Sequence, residues 1–256
     1  MYDLMARYYD QTHDALTEDV PLVLELAAQA NGRLLELGCG TGRLLVPLAQ
    51  AGHRVVGVDN AGAMLARADK RLAQLPVTIR ERVTLVEADM TTFTLAAELR
   101  PAALCLVPYN TLLHLDEGAL RQTLRQAATH LAANGRLFLD LANPFTLASV
   151  PDDQAVTLEA TFTDPETDDI VLQFASYRPD DEAQQLHIIW WYDEAPATGG
   201  AIHRTVVPVT YHYRYPHELE LLLHEAGFRL EALYGGYDKR PFDELSERLL
   251  VTAVLG

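Results

Sequence analysis

The 256-residue chain reads as an α/β protein, a doubly wound parallel sheet carrying an antiparallel β insertion. Three observations predict this. Short apolar runs of strand length alternate with segments of helical period through the first 142 residues. The stretch LLELGCGTGRLL, Leu34 to Leu45, sets a glycine-rich turn between one such run and the helix after it. From Ala155 to Tyr215 the helical period disappears, and β-branched and aromatic residues alternate instead.

Taken in order, the apolar spacing from Val20 to Ala30 is helical and Asn31-Gly32 closes it, since both residues tolerate a left-handed helix end. Arg33 to Leu37 is a strand, the segment after Gly42 a short helix ended by Gly52, and His53 to Asp59 a second strand ending in an acid. AGAMLARADKRLAQL is helical, followed by strands at Arg82 to Asp89 and Pro101 to Tyr109. A helix from Asp116 to Ala132, a turn at Asn134-Gly135 and a strand from Arg136 to Ala142 come next. Several of these strands are continuous apolar runs, as expected where helices cover both faces of a parallel sheet. Four antiparallel strands follow, separated by the turn formers Asp164-Pro165, Pro179-Asp180 and Gly199-Gly200. PHELELLLHEAGF is then a helix with Pro216 near its first position, and FRLEALYGG and RLLVTAVLG supply two more strands. The expected sheet has seven strands with an antiparallel hairpin at the end.

The charge balance narrows the partners. Thirty-six acids against 20 Lys and Arg give a formal charge of −16, and no basic patch interrupts it, so nucleic acid is not an expected partner. Cys39 and Cys105 lie in apolar contexts and read as reduced core residues. MYDLMARYYDQTHD lacks the basic start and apolar core of a secretory signal, and no apolar run approaches the ~20 residues that span a bilayer. The expectation is a cytoplasmic protein with no membrane partner.

The glycine turn places Gly38, Gly40 and Gly42 where the missing side chains let backbone turn sharply and approach a ligand. A dinucleotide site spaces its glycines GxGxxG and aims a helix start at a pyrophosphate. Here the spacing is GxGxG, and Glu36 stands just before it, unwelcome beside phosphates but welcome beside a cation. Asp59, ending the second strand, is at the spacing where an acid accepts hydrogen bonds from both ribose hydroxyls. At the end of the third strand Asp89 can take the amino group of an adenine and Met90 can cover its face. The ligand implied has an adenosine, a positive centre and an amino-acid end, and no phosphates.

With these residues the chain resembles the class I S-adenosylmethionine-dependent methyltransferases, whose sheet is Rossmann-like. LLELGCGTGRL is similar to the family's first motif, VVGVDNAGAML (Val55 to Leu65) to its second and VEADM (Val86 to Met90) to its third. The resemblance implies S-adenosylmethionine as cofactor. Gly38, Cys39, Gly40 and Gly42 would line its methionine end, Glu36 or a backbone carbonyl would face its ammonium and Asp59 would hold the ribose. Asn60 and Met64 would flank the adenine with Asp89 and Met90 opposite, and Val107 would meet the cofactor at the end of the fourth strand. Residues 1–150 and 214–256 would form the cofactor-binding domain, and 151–213 an inserted sheet capping the substrate.

Methyl transfer from a sulfonium is an in-line displacement, so the protein has to hold an electron-rich atom, exclude water and take a proton where needed. LVPYNTLLHL, Leu106 to Leu115, occupies the place where the family holds substrate. Val107-Pro108-Tyr109 lacks the leading amide or acid of the nucleic-acid amino-methyltransferases, and Asn143-Pro144-Phe145 reads as a turn. His114 is the candidate general base, and the pattern around it resembles bacterial N-methyltransferases of amino sugars and small amines. Tyr8, Tyr9 and Asp10 resemble the amino-terminal lid of that subgroup, which makes Tyr9 the second catalytic candidate. Tyr109, Asn110, Trp191, Tyr213, Arg214 and Tyr237 are the candidate substrate contacts, the aromatics suited to a substituted ammonium. A small-molecule amine is the first expected acceptor, a hydroxyl or carboxylate the second, and a non-catalytic adenosylmethionine-binding protein the competitor from another class. The inserted sheet also offers an interface for a homodimer. His212, His217 and His224 have no metal-site spacing, so no metal is expected, although Asp140 and Asn143 stand where catechol-type relatives bind magnesium.

Overall fold

Seven strands form the central sheet of the computed structural model, which describes residues 2–153 and 155–256. Helix α1 (Tyr2–His13) and α2 (Val20–Gln29) precede β1 (Arg33–Leu37), α3 (Leu45–Gln50), β2 (Val55–Asp59), α4 (Gly62–Ala73), the short α5 (Val77–Arg80) and β3 (Val83–Glu87). Then come β4 (Ala102–Val107), a 3-10 turn at Thr111–His114, α6 (Glu117–His130), β5 (Leu131–Ala142) and α7 (Pro144–Ala148). Strands β6 (Val156–Thr163), β7 (Ile170–Asp180), β8 (Gln185–Ala195) and β9 (His203–His212) make a second sheet, and α8 (Pro216–Glu225), β10 (Phe228–Tyr234) and β11 (Arg248–Leu255) complete the first.

The central order is β10-β11-β5-β4-β1-β2-β3, with β3 to β5 parallel and β11 antiparallel to both neighbours. The chain order reverses between β1 and β4, and a crevice opens at their carboxyl ends, the usual ligand position in such sheets. Leu34, Leu35 and Leu37 of β1 and Leu104, Cys105 and Leu106 of β4 are fully buried, so both faces of these strands carry apolar side chains. Both cysteines are free and buried.

Most strand ends fall within one or two residues of those the sequence predicts, and the junction of α6 with β5 departs furthest. Helix α6 stops at His130 because that ring is buried, stacked on Phe93 at 4.2 Å and accepting the Leu95 N–H at 3.2 Å. The strand starts at once: Leu131 pairs with Ala102 and Arg136 with Leu104, and the residues between loop out around Asn134, whose φ is +59°. The Asn134-Gly135 turn therefore lies inside β5. Asn143-Pro144-Phe145 caps α7, the Asn143 Oδ1 accepting the Phe145 N–H at 3.0 Å.

The second sheet is antiparallel, in the order β6-β7-β8-β9, and β9 packs on α1 and on the 3-10 turn after β4. Helix α1 is clasped between the sheets. Arg7 pairs with Asp164 at 2.6 Å and Glu194 at 2.7 Å on the insertion, while Asp10 pairs with Arg67 at 3.1 Å and Arg71 at 2.9 Å on α4. Tyr8 is buried and stacks on Tyr192 of β8 at 4.4 Å, which fixes the helix's rotation and leaves Tyr2 and Tyr9 on the crevice side. No helix among the described residues is long and apolar enough to cross a membrane.

Candidate active site

The glycine loop is built around what a side chain would strike. Gly38 has φ +72°, and a Cβ there would lie 2.4 Å from Thr111 Cγ2, so β1's exit and the turn after β4 meet only across glycine. Gly40, at φ +52°, has open space where its Cβ would be. Gly42 (φ +80°) backs onto Ala68 of α4 and serves the turn rather than the cavity. Cys39 points inward: a Cβ on Gly57 would come within 2.9 Å of its sulfur. Asp59 ties two loops together, its Oδ2 accepting the Gly40 N–H and its Oδ1 the Ala61 N–H, both at 2.8 Å. Burial raises the Asp59 carboxyl above its usual range, with those N–H groups opposing.

Gly38, Gly40 and Asp59 border a cavity of about 390 Å³, which Asn60, Met64, Met90, Thr111 and His114 also line. A recess of about 30 Å³ beside it is lined by Glu36, Cys39 and Thr41. Glu36 Oε2 and Thr41 Oγ1 are buried there without a hydrogen-bond partner among the described residues. Unpaired buried polar atoms are costly and mark a place for a polar ligand. S-adenosylmethionine would fit this lining: Glu36 would face its ammonium, Asp59 would stand at the ribose, and Met64 and Met90 would form an apolar wall. Asp89 and Val107 lie outside the cavity lining: Asp89 is exposed and accepts Thr91 N–H and Oγ1–H at 2.8 and 2.7 Å, and Val107 is buried within β4.

Burial pushes the Glu36 carboxyl up to about 8, Arg43 only partly opposing. A folded value above the unfolded 4.5 means a contribution to stability that is full below pH 4.5 and lost as pH rises toward 8. Glu36→Gln is therefore expected to flatten the pH dependence of unfolding of the ligand-free protein over that window. Urea titrations at several pH values check this, and an unchanged slope counts against the assignment.

A second chamber, of about 400 Å³, is lined by Asn110, Glu159, Gln173, Tyr177, Trp190 and Tyr211, and shares Tyr2, Tyr9 and Tyr109 with the first. Those three tyrosines are the partition between the two spaces. Tyr2 Oη and His114 Nε2 are 2.6 Å apart, and Tyr2 and Tyr211 meet the imidazole edge-on at 5.2 and 5.0 Å. Burial among these rings lowers His114 to about 4, so it is neutral at physiological pH. Tyr9 stacks on His13 at 3.9 Å, and burial raises its phenol well above the usual range.

Tyr109 and Asn110 adopt φ +43° and +65°, a left-handed pair without glycine. A polar cage holds them there. Asp140, wholly buried at the end of β5, accepts from Arg248 Nε at 2.9 Å, Tyr237 Oη at 3.0 Å and the Tyr109 N–H at 3.3 Å. Asn110 Oδ1 accepts the Ala142 N–H at 2.7 Å and Arg248 Nη2 at 3.0 Å. The Arg248 and Arg43 guanidinium carbons stand 5.1 and 5.8 Å from the Tyr109 ring centre, and Arg43 is itself held by Asp19 at 2.5 Å. Tyr237 thus serves this cage rather than a pocket rim. Asp140 and Asn143, the magnesium-site residues of the sequence reading, both have protein partners, Asn143 Nδ2 donating to Ser246 O at 2.7 Å. Among the described residues no group of three or more His, Cys, Asp or Glu converges.

Three further expected substrate contacts are, like Tyr237, elsewhere. Trp191 stacks on Phe174 at 5.6 Å on the other face of the second sheet, with Arg204 over it at 5.6 Å. Tyr213 is buried with its hydroxyl 3.5 Å from Asp181, and Arg214 donates to the Tyr213 carbonyl at 2.7 Å. For Trp191 the cause is strand parity, since successive side chains point to opposite faces and Trp190 takes the chamber side; Tyr213 and Arg214 lie beyond the end of β9 at His212. Glu159, Gln173, Tyr177, Trp190 and Tyr211 are among the lining residues not expected from the sequence, and only the alternation within β8 and β9 could have pointed to the last two.

Known proteins share this architecture. A family model described as a methyltransferase domain matches residues 34–135. YqeM of Bacillus subtilis (strain 168), which carries a methyltransferase name, is 26% identical over 235 residues, 90% of this chain and 87% of that protein. The structure of the CcbJ methyltransferase from Streptomyces caelestis is 26% identical, with a TM-score of 0.81 over 98% of this chain and 96% of that one. CalS10, an amino pentose methyltransferase from Micromonospora echinaspora solved with S-adenosylmethionine bound, has the same fold at 21% identity and a TM-score of 0.69, covering 97% of this chain and 96% of its own. Residues 34–135 carry a methyltransferase domain, and the similarity to methyltransferases extends over nearly the whole chain; these findings support an S-adenosylmethionine-dependent methyltransferase.

Proposed function

We propose that the chamber beyond the tyrosine partition receives a small-molecule amine, whose nitrogen takes the methyl group. One observation carries this reading: aromatic rings and the Glu159 carboxylate line the chamber, and neither Lys nor Arg does. Tyr109, Tyr177, Trp190 and Tyr211 offer ring faces to an ammonium, each good contact being worth about 0.5–2 kcal/mol. Glu159, which accepts from Tyr177 Oη at 3.1 Å, would attract the same charge and repel a carboxylate acceptor. That CalS10 is named for an amino pentose supports the same direction.

The bound cofactor supplies an electrophilic methyl on a sulfonium. Tyr2, Tyr9 and Tyr109 exclude water from the gap and leave one approach between the chambers. His114, at about 4, is too weak a base to strip an ammonium of ordinary basicity, near 10. The amine therefore has to react neutral, and His114 with Tyr2 orients its N–H so that the lone pair is in line. His114→Ala is expected to lower turnover about 10- to 100-fold while adenosylmethionine affinity changes little. The pH profile should rise with the acceptor's own ionisation and show no inflection near 6.5. Equal turnover, or an inflection near 6.5, contradicts this role.

The test of acceptor class is a mass-spectrometric screen of the purified protein with S-adenosylmethionine and panels of small amines, alcohols, phenols and carboxylic acids. Products confined to the amine panel are expected. Products confined to the other panels would overturn the amine reading.

A further inference from the structure

We infer that the acceptor is a diamine: one nitrogen stands neutral at the tyrosine partition and takes the methyl group, while the other, as an ammonium, is held at Glu159. The inference rests on the amine reading above and names the class of molecule within it. Two requirements of that reading fall on different nitrogens. The chamber attracts a cation, since its ring faces and the Glu159 carboxylate all favour positive charge. The nucleophile cannot be that cation, because an ammonium has no lone pair for the attack and the sulfonium beside it repels a second positive charge. A monoamine meets one requirement at a time; a molecule with two amines meets both at once.

The placement of the groups separates the two nitrogens. Glu159 lines the chamber and not the first cavity, His114 lines the first cavity and not the chamber, and Tyr2, Tyr9 and Tyr109 border both. Glu159 is exposed on β6, so an ammonium paired with it keeps part of its water and avoids the full cost of desolvating a charge. Tyr177 orients the carboxylate, its Oη donating to Glu159 Oε1 at 3.1 Å; burial, reinforced by that carboxylate, raises the phenol well above its usual range and keeps it a donor. Glu159 has no cationic partner among the described residues, and no other described lining residue is charged at neutral pH, since burial lowers His13. The held ammonium also acts through space on its own molecule: it lowers the basicity of the second nitrogen and so raises the neutral fraction at the partition without a protein base. That nitrogen's lone pair then forms the N–C bond as the C–S bond breaks with its electrons on sulfur. Adenosylhomocysteine and a methylated ammonium result, and the ammonium sheds its proton to water on release.

The test compares propane-, butane- and pentanediamine with the monoamines of the same length, as kcat/KM with S-adenosylmethionine and as calorimetric affinity for the full chain loaded with adenosylhomocysteine. Wild type is expected to favour the diamines about tenfold or more. Glu159→Gln should reduce that preference about fivefold, the scale of an exposed ion pair, and Glu159→Lys should reverse it, with adenosylmethionine affinity unchanged in both. Equal kcat/KM for the two series in wild type, or a preference that survives Glu159→Lys, would overturn the inference and leave the amine reading standing. Turnover of neither series would count against the amine reading, and the affinities then decide the inference by themselves: equal affinity for diamine and monoamine overturns it.

Discussion

Asp59→Ala is expected to weaken S-adenosylmethionine binding by about 100-fold or more while the protein stays folded. The magnitude comes from two functions of one carboxylate. It accepts the Gly40 and Ala61 N–H groups, so its removal frees the loop that borders the cavity and leaves two donors unpaired. It is also the acid we propose for the ribose hydroxyls, where each hydrogen bond to a charged group would contribute ~1.5–3 kcal/mol. Asp59→Asn should fall between, since the amide keeps one acceptor oxygen. Calorimetric titration of wild type and both variants gives the order, and wild-type affinity in Asp59→Ala would remove the assignment.

Arg248→Met is expected to cost the fold about 3–5 kcal/mol, the scale of breaking a buried ion pair from one side. Asp140 is wholly buried, and without the guanidinium it keeps only Tyr237 Oη and the Tyr109 N–H as donors. The left-handed turn at Tyr109 and Asn110 also loses its brace, since Arg248 donates to Asn110 Oδ1 as well. Stability and site geometry therefore fall together. Denaturant unfolding measures the first; a loss below about 1 kcal/mol would mean that Asp140 is solvated or protonated rather than paired.

The parts of the site legible in the sequence are those written within one short stretch. Leu34 to Leu45 shows strand, glycine turn and helix in order, and its spacing separates a sulfonium cofactor from a dinucleotide without reference to anything distant. Asp59 follows because it ends the next strand. The cage around Tyr109 could not be read in the same way. Arg248 lies 108 positions from Asp140, and only the pairing of β11 with β5 brings them opposite each other. Trp190 and Trp191 failed for another reason: the alternation is plain, but a strand alone does not say which parity faces the ligand. That was decided by Tyr192, which stacks on Tyr8 of α1 and turns the even-numbered residues of β8 inward. The first helix was legible as an aromatic segment and not as a clasp, because Arg7 and Asp10 find their partners on opposite sides of the crevice.

The measurement that tests the account most directly is methyl transfer from methyl-labelled S-adenosylmethionine to small amino sugars that carry amine and hydroxyl groups in one molecule, with the label located by NMR. The aromatic, acid-lined chamber predicts that the label appears on nitrogen. Label on oxygen would contradict it, as would label on neither when the protein has been shown to bind the cofactor.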